Sequence, residues 1–236
     1  MPIEGTYGHG SHRNAALRMK VVPLLLGVVA CSASGATPSP EHEYTLQARV
    51  LLQDDASARA VLAELGPGWV PHGRIEWQDI VDDVPAWLGN QTFPAPSPAI
   101  VGAFSDALGA RLATVHCEAR NFLPLGSPEI GMFALECRYP DMTPLREAYL
   151  ALREAEQSDR QAQSDALFKR WTTILRDAPD RAHCTAVTGW YKGDHEATDA
   201  ARAQQLYRAV LAGLLPLDAW DARGMGEDTS ALCRVR

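Results

Sequence analysis

Alternation of apolar and polar residues is the first clear pattern in the chain, and it runs from Tyr44 to Gln53 with a period of two residues. This period predicts a strand with one buried face. A helix is predicted directly after the strand, because Asp54 or Asp55 can cap it, apolar residues then recur at helical spacing, and Gly66 follows. The folded region is therefore expected to begin with a strand that leads into a helix.

Helical and strand-like segments then follow one another in no regular order. Residues 66–98 are irregular and rich in proline, glycine and tryptophan, and Pro85 is expected to end a short helix that starts near Trp77. Residues 143–176 form either one helix or two helices that meet near Ser158. Further helices are predicted from Ser97 and from Asp194, and strands over residues 113–120, 131–139, 182–191 and 229–235.

This order of elements favours the α+β fold class. We expect a small, mostly antiparallel sheet with several helices packed on one face of it, because the strands at 113–120 and 131–139 are close enough in sequence to form a hairpin with a long loop. The length of residues 44–236 suits a single domain.

The beginning of the chain has the layout of an export signal. Met19 and Lys20 precede the apolar run Val21–Ala30, which is shorter than the about 20 apolar residues that cross a bilayer. We therefore predict a signal peptide at residues 19–30, preceded by an over-long start at residues 1–18 and followed by a polar tether at residues 31–43.

The end of the apolar run, Val28-Val29-Ala30-Cys31, resembles the lipobox of bacterial lipoproteins. The resemblance implies that cleavage occurs before Cys31, that Cys31 carries the lipid, and that Ser32 directs the protein to the outer membrane. The lipid on Cys31 would then be the only membrane contact. The alternative is cleavage after Ala36, which would remove Cys31 and leave a periplasmic protein without an anchor.

Export places the other cysteines in an oxidising compartment, where cysteines pair. No Cys-x-x-Cys spacing occurs, so neither a zinc site nor a thioredoxin-like motif is indicated. A histidine precedes Cys117 and Cys184, whereas an arginine follows Cys137 and Cys233. This repeated arrangement predicts the disulfides Cys117–Cys137 and Cys184–Cys233, with the other connectivities of the same cysteines left open.

The charge balance and the motif search narrow the functional classes. With 22 Lys and Arg against 29 Asp and Glu, the chain has a net charge of −7 and no general basic field, so a nucleic-acid partner is not expected. Motifs of nucleotide binding, serine hydrolases, zinc proteases and EF-hands do not occur. We therefore predict neither a cofactor nor a metal.

The loop between the predicted hairpin strands is the candidate partner-binding segment. Phe122, Leu123 and Leu125 lie there beside two prolines, a composition that suits a stiff apolar projection that enters a cleft of another protein. The other interpretation, in which Phe122 and Leu125 fold back onto the sheet, is the favoured one of the two. The leading hypothesis is a non-catalytic envelope lipoprotein that binds another envelope protein, as an inhibitor or immunity factor.

Carboxylates support the alternative hypothesis of a periplasmic hydrolase, with or without a metal. Asp194, His195 and Glu196 begin a predicted helix in which Asp199 shares a face with His195, although acidic residues in a first turn also stabilise a helix by themselves. Asp79 and Asp83 lie in the tryptophan-rich segment. Carboxylates about 5–9 Å apart around a cleft can hydrolyse sugars, but tryptophans near aspartates also serve as core anchors.

Overall fold

A three-stranded antiparallel sheet with helices packed against it is the architecture of the computed structural model, which describes residues 38–126, 130–190, 196–221 and 231–234. The helices are α1 (Pro40–Gln53), α2 (Ala56–Leu65), α3 (Trp77–Gly89), α4 (Pro98–Leu112), α5 (Arg146–Glu154), α6 (Arg160–Asp177), α7 (Glu196–Leu214), α8 (Leu217–Asp221) and α9 (Ala231–Arg234). The strands are β1 (His116–Pro124), β2 (Ile130–Pro140) and β3 (Asp180–Trp190). The predicted α+β class is confirmed.

The sheet has the order β1-β2-β3, and its register places Cys117 opposite Cys137 and Cys137 opposite His183. Side chains alternate between the two faces of a sheet. One face carries Phe133 and Leu135, which are fully buried beneath the helices. The opposite face is polar in its centre, where Arg120 contacts Glu118 at 3.1 Å and Glu136 at 3.4 Å.

Aromatic rings join α4 and α6 in the main hydrophobic core. The Phe104, Phe168 and Trp171 rings lie 5.0–5.4 Å from one another between α4 and α6. Trp171 is fully buried, and its indole N–H donates to the carbonyl of Leu214 at 3.1 Å, at the end of α7. Because a buried indole needs a partner for its N–H, this bond stabilises the position of α7 against α6.

The first element is a helix, so the predicted strand at residues 44–53 is wrong. Ser39 caps α1 by accepting the backbone N–H of His42, and Pro40 follows it. Buried side chains occur on most sides of α1, because β1, α2 and α7 all pack against it. A helix buried on several sides has no single apolar stripe, and the apparent alternation is a by-product of that burial.

Two further elements differ from those predicted from the sequence. Pro85 lies inside α3 and does not end it, since the buried Val84 and Leu88 hold that helix against the core. Residues 231–234 form the helical turn α9, so the predicted strand at 229–235 is wrong where the structure describes it. The predicted hairpin and the break near Ser158 are confirmed, with α5 ending at Glu154 and α6 beginning at Arg160.

Both predicted disulfides are confirmed. Cys117 and Cys137 face each other across β1 and β2 with their Cα atoms 4.0 Å apart, whereas Cys184–Cys233 ties α9 to β3 across a Cα distance of 5.8 Å. Disulfides are typical of exported proteins, in agreement with the predicted export. Within the described residues, no helix has the length and apolar composition that a membrane crossing requires.

The contact between α7 and β2 predicts a different response for two helical glycines. A Cβ at Gly213 would overlap the ring of Tyr139, whereas a Cβ at Gly102 in α4 meets nothing within 4 Å. We expect Gly213→Ala to lower the free energy of unfolding by about 1–3 kcal/mol through overpacking. Gly102→Ala is expected to raise it by up to about 1 kcal/mol through helix propensity. Urea unfolding checks both, and equal stability of the two variants would contradict the packing argument.

Candidate protein-binding surface

A β-bulge in β1 shapes the hairpin that carries the candidate binding residues. The register between β1 and β2 shifts between Arg120 and Leu123, and Asn121 has a left-handed backbone with φ of 55°. Asparagine adopts this conformation more readily than most residues. β1 therefore continues through Pro124, and residues 121–124 belong to the strand instead of to the predicted loop.

Phe122 folds back onto the sheet. Its ring centroid lies 5.1 Å from that of Phe133, and it covers Gly131 so closely that a Cβ there would overlap the ring. Glycine at 131 is thus required for the ring to lie flat against β2. Phe122 anchors the hairpin, and of the two alternatives raised by the sequence the folded-back one holds for this residue.

The amino end of α1 also holds the hairpin. The backbone N–H of Phe122 donates to Oε1 of Glu41 at 3.0 Å. Burial alone would raise the pKa of Glu41, but bonds accepted from the backbone N–H groups of Glu41 and Phe122 and from the Ser39 side chain lower that pKa overall. The ionised carboxylate therefore fixes β1 to the start of α1.

Leu123 and Leu125 remain exposed at the tip of the hairpin. Their exposed fractions are 48% and 42%, and Val61 in α2, at 42%, is the other large apolar residue that is exposed in the described part of the chain. The backbone N–H of Leu125 donates to the carbonyl of Ile130 at 2.9 Å, so the strands stay paired up to the tip. We call Leu123 and Leu125 the hairpin tip.

A third attachment comes from α9. The side-chain amide of Asn121 donates to the carbonyl of Leu232 at 2.8 Å, and Cys233, next to Leu232, is bound to Cys184 of β3. The bulge is thus connected through α9 and a disulfide to the far strand of the sheet. The hairpin is thus held by α1 and α9 from outside and by the contact of Phe122 with Phe133 within it.

The carboxylates of the alternative hypothesis are not brought together in the described residues. Asp194 and His195 lie outside those residues, and Glu196 begins α7 without a described side chain. Asp199 accepts a hydrogen bond from Arg202 at 2.9 Å and lies 2.8 Å from Nδ1 of His72. Because Arg202 is only 3% exposed, Asp199 serves to balance a buried charge.

Asp79 and Asp83 lie on the exposed surface of α3, one turn apart. The tryptophans near them are core anchors. Trp77 donates its indole N–H to the carbonyl of Leu52 at 2.9 Å, and Trp87 packs partly buried against the main core. Among the described residues, no group of three His, Cys, Asp or Glu side chains is placed to hold a metal ion.

A groove between β3 and α7 is a surface feature that the sequence analysis missed. Its volume is ≈ 500 Å³. Tyr139 and residues 185–188 line one wall, and α7 lines the other with Gln205, Arg208, Ala209, Ala212 and Gly213. The sequence does contain one indication of this groove. The small residues at 209, 212 and 213 lie beside the buried apolar stripe of α7, and their short side chains leave the space that the groove occupies.

Comparisons with known proteins identify no relative: no protein-family model matches the sequence, and neither the curated proteins nor the solved structures contain a match.

The different burial of neighbouring hairpin residues predicts different effects on stability. Phe122→Ala removes the ring that packs on Phe133, so we expect a loss of about 2 kcal/mol in the free energy of unfolding. Leu123→Ala changes an exposed side chain and is expected to stay within about 0.5 kcal/mol of the parent protein. Chemical unfolding measures both values. A Leu123→Ala loss as large as that of Phe122→Ala would show that Leu123 is also an anchor.

Proposed function

We propose that the protein is a non-catalytic exported envelope lipoprotein that binds another protein, as an inhibitor or immunity factor, and that the hairpin tip enters a cleft of that partner. The observation that carries this proposal is the exposure of Leu123 and Leu125 at the end of a hairpin that α1 and α9 both anchor. Exposed leucines at the tip of a held hairpin form a binding element that is already ordered before it meets a partner.

Energetic reasoning supports the tip as the centre of an interface. Fully burying a leucine side chain is worth about 1.5–3 kcal/mol, and a pair of neighbouring leucines can dominate a small contact. Association also costs conformational entropy, which is smaller when the contacting residues are already fixed. The anchoring by Phe122, Glu41 and Asn121 lowers this cost for the tip.

The charge of the chain favours a partner with a basic surface. The net charge is −7, so long-range attraction would steer a positively charged protein towards this one, and anionic lipid would be repelled. Membrane attachment is therefore assigned to a lipid on Cys31, in the periplasm at the outer membrane, on the strength of the lipobox resemblance. The disulfides are consistent with that compartment.

The hydrolase alternative gains no support from the described residues. Asp79 and Asp83 occupy an exposed helix surface instead of a cleft, and Asp199 is engaged by Arg202 and His72. The groove between β3 and α7 contains none of these carboxylates.

The tip is tested by Leu123→Asp combined with Leu125→Asp. The expected result is loss of the captured partner from envelope extract, at least about tenfold by quantitative mass spectrometry, with an unchanged unfolding midpoint, because charges at a buried contact oppose association. Val61→Asp is the matched control, since Val61 has the same 42% exposure as Leu125 but lies in α2. Undiminished capture by the double variant would refute the role of the tip.

The proposed lipid attachment at Cys31 is tested by Cys31→Ser. We expect the parent protein to fractionate with membranes and to incorporate labelled palmitate, and the variant to lose both properties, because a serine at this position cannot receive a thioether-linked lipid. Membrane fractionation and palmitate labelling of the same cultures provide the readouts. Identical labelling of the two proteins would exclude Cys31 as the lipidated residue.

A further inference from the structure

The two outer strands of the sheet differ in what covers their edges. The register of β1 and β2 leaves the backbone N–H of Ala119 pointing away from β2, where it donates to Oγ1 of Thr45 at 2.9 Å. α1 therefore covers the outer edge of β1. β3 is the other outer strand, and among the described residues no strand pairs with its outer edge.

The same register identifies which groups of β3 face outward. Backbone groups of successive residues in a strand point to opposite sides. Since Ala119 points away from β2, its partner Leu135 bonds instead to Thr185 on the other side. Ala186 and Thr188 consequently direct their backbone N–H and carbonyl groups to the open edge of β3.

The open edge and the groove between β3 and α7 coincide. Residues 185–188 line the groove, and these include the two residues whose backbone groups face outward. The opposite wall is the face of α7 that carries Ala209 and Ala212. A strand laid along β3 would thus place every second side chain into this groove, between the sheet and the helix.

One charged group in the groove indicates the chemistry of such a strand. Arg208 is exposed, and no carboxylate of the described residues pairs with it, although the chain has an excess of acidic residues. An unpaired guanidinium favours a carboxylate.

We propose that the groove between β3 and α7 binds an extended segment of a partner protein, which adds to the sheet as a fourth strand next to β3. The segment has alternating apolar side chains that pack against Ala209 and Ala212, and an acidic side chain that pairs with Arg208. This surface is separate from the hairpin tip.

The probe is a display library of short random peptides, selected on the purified full chain. Peptides with alternating apolar residues and one Asp or Glu are expected to be enriched. Ala186→Pro removes an outward N–H without removing a bond to β2. We expect this variant to bind the selected peptides at least about tenfold more weakly than the parent protein, as measured by fluorescence anisotropy. Ala182→Pro is the matched control, because residue 182 also faces outward but does not line the groove.

A second pair of variants tests the charge. Arg208→Glu is expected to lower the affinity for the acidic peptides at least about tenfold. Gln204→Glu, at an exposed position of α7 outside the groove, is expected to leave that affinity nearly unchanged. The Leu123→Asp and Leu125→Asp variant should bind the peptides as the parent protein does. Failure of this inference is therefore distinguishable from failure of the proposed tip function.

Three results would overturn the inference: no enriched peptide, equal affinity of Ala186→Pro and the parent protein, or a parent protein that is a dimer in light scattering while Ala186→Pro is a monomer. The last result would assign the edge of β3 to a second copy of the chain.

Discussion

The register of β2 between its two neighbours is the constraint on which the other features of the structure depend. It places Cys137 directly opposite Cys117, so the disulfide joins positions that the backbone pairing already brings together. The same register sets Gly131 beneath Phe122 and turns Tyr139 towards α7. A slip of one residue would move Phe133 and Leu135 of β2 to the polar face, so hairpin, disulfide and helix packing are specified together.

The sequence was informative where one local pattern determines a structure. Ser97 before Pro98, and the paired His-Cys and Cys-Arg contexts, led to the correct helix start and the correct disulfides. It was misleading for α1, because Glu43 and Gln47 are buried polar residues that interrupt the helical stripe. Burial of polar residues depends on neighbours that are distant in sequence, and no local pattern contains that information.

The candidate binding surfaces were also predictable from the sequence only in part. An apolar hairpin loop was predictable from its composition, but the separation of Phe122 as anchor from Leu123 and Leu125 as exposed tip required the bulge at Asn121 and the glycine at 131. The groove beside β3 arises only from how α7 packs across the sheet. Neither wall of the groove carries a sequence motif, so its position is a property of tertiary structure alone.

The unequal edges of the sheet limit how this protein can assemble with itself. Fibrils grow when each added molecule offers a new edge to the next, which requires two accessible edges per sheet. Here α1 occupies one side of the described sheet, through Thr45 and Glu41, so two molecules joined through β3 would leave no strand for a third. Growth would stop at a closed pair, so an open edge of β3 would not lead to polymerisation through the sheet.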